Sequence, residues 1–224
     1  MREKQDCGKL LIGVNGDFQE YKMKYLLGVL VLFVNLSCAF AEDSSLISKM
    51  DQSSELIKLE DACPAELFAI TPEKVEYTDY RSQCSLLNSE CLSRCLLGSA
   101  NHCVALAFNL QSEEVESKYH ERLYALGCKY GSVTACTNRA AGIMRFDPER
   151  KECFAKSFEL TCGEQDAWGC TMYGLVLSRG IGVEKNIDKA QKALKVGCIH
   201  GIGDEACRSA KAIEKDIIET RHGE

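Results

Sequence analysis

Cysteine is the residue whose type and spacing could do chemistry in this chain, and eight of its fourteen cysteines recur in pairs: Cys95 with Cys103, Cys128 with Cys136, Cys162 with Cys170, and Cys198 with Cys207. Seven residues separate the partners in three pairs and eight in the last, and a glycine lies inside each interval. Three chemistries compete for such thiols. Zinc favours ligands two to four residues apart, and in the whole chain only Cys91 and Cys95 come that close. Thioredoxin-like exchange needs Cys-x-x-Cys, which the chain lacks. A disulfide across a helix hairpin suits the observed interval, so cystine is the expected state and no metal or other cofactor is called for.

The first members of successive pairs lie 33, 34 and 36 residues apart, a period that fits one helix-turn-helix unit of a solenoid. The expected fold is therefore all-α, an α/α solenoid of antiparallel helix pairs stapled by disulfides. Apolar periodicity and turn residues place helices near 79–96, 99–110, 113–128, 132–145, 149–162, 166–178, 187–198 and 203–219, with no strand candidate between them. Asp147-Pro148 reads as a helix start, as does Asp188. A loop of about nine residues closed by a disulfide contributes on the order of 2.5 kcal/mol through unfolded-chain entropy. That bracing matters in a solenoid, whose units contact only their neighbours.

Upstream, the apolar run Leu26–Leu36 follows Lys22 and Lys24 and leads into Ala39-Phe40-Ala41, the pattern of a signal peptide cleaved before Glu42. Residues 1–41 are assigned to that signal and its leader, with Met23 as an alternative start. The run is too short for a permanent membrane helix, and Asn35-Leu36-Ser37 before Cys38 is a poor lipid-attachment sequence. Cleavage would leave twelve cysteines, an even number suited to an oxidising compartment, and the expected location is periplasmic or secreted. Residues 42–76 are read as an N-terminal capping helix, with Leu46, Ile47, Met50, Leu56 and Leu59 at helical spacing over 44–60, followed by a connector punctuated by Pro64 and Pro72. Residues 77–224 hold about four repeats. A net charge of −6 argues against nucleic acid as a partner.

The clearest unit runs from Cys170 through Gly174, Gly180-Ile181-Gly182-Val183, Asp188, Ala190 and Ala193 to Cys198, and it resembles a Sel-one-like repeat. In that family a small residue such as Gly174 permits close helix packing, the Gly-x-Gly-Val loop turns the chain, and alanines such as Ala190 let the second helix approach. With its paired cysteines the chain is similar to the cysteine-rich Sel-one-like repeat proteins exported by bacteria, in which one disulfide staples each unit. The resemblance spans about Cys84 to Glu219. Other units depart from it: Phe146-Asp147-Pro148 replaces the Gly-x-Gly loop, Ala107 and Ala140 stand for Gly174, and Lys211 does so in the final, cap-like unit. Of the remaining cysteines, Cys84 and Cys91 have a hairpin-like separation. Cys63 and Cys153 are left open, paired with each other, free, or linking two chains of an otherwise monomeric protein.

Related exported proteins carry β-lactamase or penicillin-binding assignments, so the resemblance implies β-lactam binding or hydrolysis as an alternative function. The residues oppose it: no serine is followed three residues later by lysine, and neither Ser-Asp-Asn nor Lys-Thr-Gly occurs. The four histidines, His102, His120, His200 and His222, lack metal-ligand spacing and read as surface or turn residues. Cys103 beside His102 is explained by its bridge, and Gly180-Ile181-Gly182 by a repeat turn. Trp168 reads as a packing residue at a helix start.

No catalytic residue is assigned, and the leading expectation is an interaction module. In helical solenoids the first helices of successive units line the concave, binding face. Asn138, Arg139, Tyr173 and Arg179 are the candidates to face it, and the expected partner is a protein or peptide, or a cell-wall component.

Overall fold

Four turns link a helix end to the next helix start under a disulfide, and in each the third residue after the first cysteine has a left-handed backbone. These are Gly98 (φ 104°), Gly131 (φ 97°), Gln165 (φ 61°) and Gly201 (φ 82°). Glycine adopts that conformation without a Cβ penalty, so the glycine inside three of the cysteine intervals has a backbone cause. In the third interval the task falls to Gln165, while Gly169 lies where a Cβ would collide with Thr161.

The computed structural model describes residues 46–68, Cys84 and 88–222, all belonging to one compact unit, Ser45–Glu224. The expected signal segment and cleavage site, Pro72, and part of the first expected repeat helix lie outside the described residues. The chain is all-α: no extended strand occurs among the described residues. The helices are α1 (46–52), α2 (Ser54–Lys58), α3 (Pro64–Leu67), α4 (Asn88–Leu96), α5 (Ala100–Ser112), α6 (Ser117–Lys129), α7 (Val133–Phe146), α8 (Lys151–Gly163), α9 (Ala167–Arg179), α10 (Ile187–Gly197) and α11 (Glu205–His222). From α4 onward each packs on its successor, so the fold is a disulfide-stapled α-solenoid.

Local chemistry sets the boundaries. Ser132, Asp166 and Asn186 cap α7, α9 and α10, accepting from the backbone N–H of Ala135, Gly169 and Lys189. Gly180 ends α9 in the left-handed conformation, and a Cβ on Gly182 would collide with the Lys151 carbonyl, which explains the glycine pair of that loop. A Cβ on Gly174 would press into Leu194 and the Ala190 carbonyl, so this residue permits the expected close α9–α10 contact. Three helix starts differ from expectation by two residues or more, that of α11 being Glu205 rather than 203. α6 begins at Ser117 because Glu114 turns the chain at φ 57°, and α8 begins at Lys151, leaving Pro148 in the preceding turn.

Six disulfides take up twelve cysteines. Cys95–Cys103, Cys128–Cys136, Cys162–Cys170 and Cys198–Cys207 each join the end of one helix to the first turns of the next, across Cα separations of 4.2–4.7 Å. Cys84–Cys91 forms the hairpin-like pair. Cys63 and Cys153, left open by the sequence, are bonded to each other over a separation of 90 residues.

That last bond reflects a course the sequence did not reveal. The helix expected over 44–60 breaks at Ser53, and Pro64 occupies the first position of α3, where proline's missing N–H costs nothing. α2 and α3 then run along α6, α7 and α8 as a strap. Leu46, Met50, Leu56 and Leu59 bury their side chains in the N-terminal core cluster. Polar anchors flank them: the Arg122 guanidinium meets Glu60 at 2.6 Å and Asp51 at 3.4 Å, Tyr119 donates to Asp51 at 2.9 Å, and Lys129 meets Glu55 at 2.8 Å. The Lys129 hydrogen bond holds the Glu55 carboxyl below its ordinary pKa.

Two outcomes are expected. Gln165→Gly relieves the left-handed strain and raises unfolding free energy by about 1 kcal/mol in denaturant titration. Removing Cys63 and Cys153 together as alanines costs about 4 kcal/mol, against about 2.5 kcal/mol for a short hairpin staple, because the loop closed is far longer; chemical unfolding of the two variants measures the difference.

Candidate functional site

The cysteine register allows α6–α7 and α8–α9 to be compared position by position, 34 residues apart. In the α8–α9 pair Phe154, Ala155 and Val176 are buried together and Tyr173 packs against them. Their counterparts in the α6–α7 pair are His120, Glu121, Gly142 and Arg139. One unit has therefore exchanged an apolar core patch for a histidine, a carboxylate and a guanidinium, with a glycine opposite.

All three polar side chains are buried, His120 and Arg139 at 7% exposure and Glu121 at 8%. Arg139 donates to Glu121 Oε2 at 2.8 Å, and His120 Nε2 lies 3.6 Å from Glu121 Oε1. Arg139 also donates to the Glu60 carbonyl, tying the pair to the strap. Gly142 has a steric purpose, since a Cβ at that position would overlap the Glu121 carboxylate. Burial pushes the Glu121 carboxyl above its ordinary pKa, with Arg139 opposing the shift. Burial, aided by the positive charge of Arg145, holds the His120 imidazole below its ordinary value. His120 Nδ1 and Arg139 Nε are buried without hydrogen-bond partners among the described residues, and an unpaired buried polar atom costs free energy.

A groove of about 460 Å³ opens over this cluster. α5 contributes Gln111 and the α5–α6 turn Glu114, α6 contributes Ser117, His120, Glu121 and Tyr124, and α7 contributes Asn138, Arg145 and Phe146. A second groove of about 360 Å³ lies between α9, the start of α10 and α11, with Arg179 and Asp216 in its wall.

The four residues selected from sequence are not brought together. Asn138 lines the first groove, its amide donating to the Thr134 carbonyl at 2.8 Å. Arg139 lies buried against Glu121. Tyr173 donates to Glu159 at 3.2 Å, and Arg179 meets Asp216 at 3.4 Å in the second groove. Three other expectations need correction. His102 and His120 are buried rather than surface residues, because both face helix packing contacts, and Trp168 is 42% exposed in the first turn of α9. His120, Glu121, Gly142 and Arg145 were missed as site residues. The signal that could have found them is the 34-residue register itself, which sets polar residues against Phe154 and Ala155. Among the described residues no cluster of three or more histidine, cysteine or acidic side chains could hold a metal ion.

His120→Phe, which restores the residue of the next unit, should flatten the pH dependence of stability. Because the folded-state pKa is lowered, the unfolded chain binds the proton more tightly, so His120 contributes stability that is intact above about pH 6.5 and is lost as pH falls towards the folded value, by at most about 1.4 kcal/mol per pH unit. Urea unfolding of both proteins between pH 7.5 and 5 measures the slope. Comparison of the chain with protein-family models, with curated proteins and with solved structures returned no match.

Proposed function

We propose that this chain is an exported Sel-one-like repeat protein acting as an interaction module, which binds a protein, a peptide or a cell-wall component along the face formed by its first helices. The observation that carries this reading is the lateral packing of α5 on α7, α7 on α9 and α9 on α11. That packing sets alternate helices side by side, as in solenoids that bind extended partners. Arg145 and Arg179 are exposed on it and Asn138 is half-buried. Six disulfides fit an oxidising compartment, and no helix among the described residues is long and apolar enough to cross a membrane. A preformed, covalently braced surface suits binding, because little ordering entropy remains to be lost on association.

The test is site-specific photo-cross-linking in the exported protein, with the reactive side chain placed at Asn138 or Arg179 and, as controls, at Lys156 or Lys192 on second helices. Adducts concentrated at the first-helix positions support the reading. Equal yields at all four positions, or no adduct, overturn it. Turnover of nitrocefin by the purified protein would instead favour the β-lactam alternative.

A further inference from the structure

The two grooves occupy equivalent ends of the repeat, and their charges are arranged differently. Nine residues after the second cysteine of each pair stand Ser112, Arg145, Arg179 and Asp216 on α5, α7, α9 and α11. In the α9–α11 groove the two such positions are Arg179 and Asp216, which neutralise each other at 3.4 Å. On α5 and α7 they are Ser112 and Arg145, of which Arg145 lines the first groove, so the register supplies Arg145 with no carboxylate. Arg145 makes no ion pair among the described residues, and its guanidinium lies 5.2 Å from the centroid of the exposed Phe146 ring. Stacking of that kind leaves the N–H edge of the guanidinium available to an anion.

Glu114 lines the same groove from the α5–α6 turn. It is exposed and likewise makes no ion pair among the described residues. The rim therefore carries one positive and one negative charge that do not satisfy each other. Below them, the ring of His120, more than nine-tenths buried, lines the groove, and its buried Nδ1 has no hydrogen-bond partner among the described residues. A bare anion entering here would meet Glu114 and Glu121, and a bare cation would meet Arg145. A molecule carrying both charges meets neither objection, and about 460 Å³ is within the range of small-molecule sites.

We propose that the groove between α5, α6 and α7 is a binding site for a small zwitterion, an amino acid or amino-acid-like molecule whose carboxylate pairs with Arg145 and whose ammonium pairs with Glu114 above His120. The site goes beyond the interaction-module reading and needs no macromolecular partner, so either can fail without the other.

The test uses the full disulfide-bonded protein and calorimetric titration with glycine, γ-aminobutyrate and diglycine, which set increasing distances between ammonium and carboxylate. Propionate and ethylammonium supply the single charges, and end-blocked diglycine supplies neither. The expected result is saturable binding of at least one zwitterion, weakened about tenfold or more in both single-charge analogues and in each of the exposed-site variants R145Q and E114Q. Circular dichroism and a free-thiol count confirm that both variants are folded. Absence of saturation by all three zwitterions up to about 10 mM overturns the proposal. So does unchanged affinity in either variant, or propionate, ethylammonium or end-blocked diglycine binding as tightly as the best zwitterion.

Discussion

A solenoid has no central core, so each helix pair must be held against the next by what little surface the two share, and here a covalent bond is placed at that weak point. Each of the four regularly spaced disulfides spans the turn between one helix and its successor, where the chain reverses within a few residues. The bond limits the unfolded ensemble, while the left-handed residue beneath it, Gly98, Gly131, Gln165 or Gly201, lets the reversal occur. Cysteine pair and positive-φ residue are two halves of one device, and it recurs once in each repeat. Among the described residues the buried apolar side chains form three clusters along the chain of helices, as expected where contacts are local.

The strap adds what local contacts cannot, a link between distant parts of the chain. α2 and α3 reach α6, α7 and α8, and Cys63–Cys153 closes the longest of the disulfide loops. Arg122 shows how the strap is specified electrostatically. Its side chain is only 9% exposed, and it draws Asp51 and Glu60, from either side of α2, onto one guanidinium. An arginine fork suits such a task because it holds two carboxylates in fixed directions.

Arg139 joins the strap to the groove. It bonds the Glu60 carbonyl on one side and Glu121 on the other, so the carboxylate beneath the groove takes its position from two separate parts of the chain. A buried ion pair is weak evidence for stability, and the next unit achieves the same packing with Phe154, Ala155 and Tyr173. The departure of this unit from the apolar pattern of the next, together with a glycine at Gly142 that leaves room for the carboxylate, is why this place in the fold is read as a site.

Sequence alone determined the all-α class, the period, the four regular cysteine pairs and the reason for Gly174, because these depend on contacts close in the chain. The Gly-x-Gly turn was legible too, although the clash that requires Gly182, with the Lys151 carbonyl, is a tertiary contact. Tertiary structure decided the rest. Helical spacing of Leu46, Met50, Leu56 and Leu59 shows that the N-terminal segment buries a face, but not which helices bury it, and that choice brought Cys63 to Cys153. Nor could the sequence give the contacts of the residues it singled out: Asn138 lines a groove, whereas Arg139 and Tyr173 meet Glu121 and Glu159 on the preceding second helices, because a side chain three residues after the staple points into the helix pair. Charge balance in the grooves was equally out of reach, since Arg179 and Asp216 lie 37 residues apart in the chain and meet only when α11 packs beside α9.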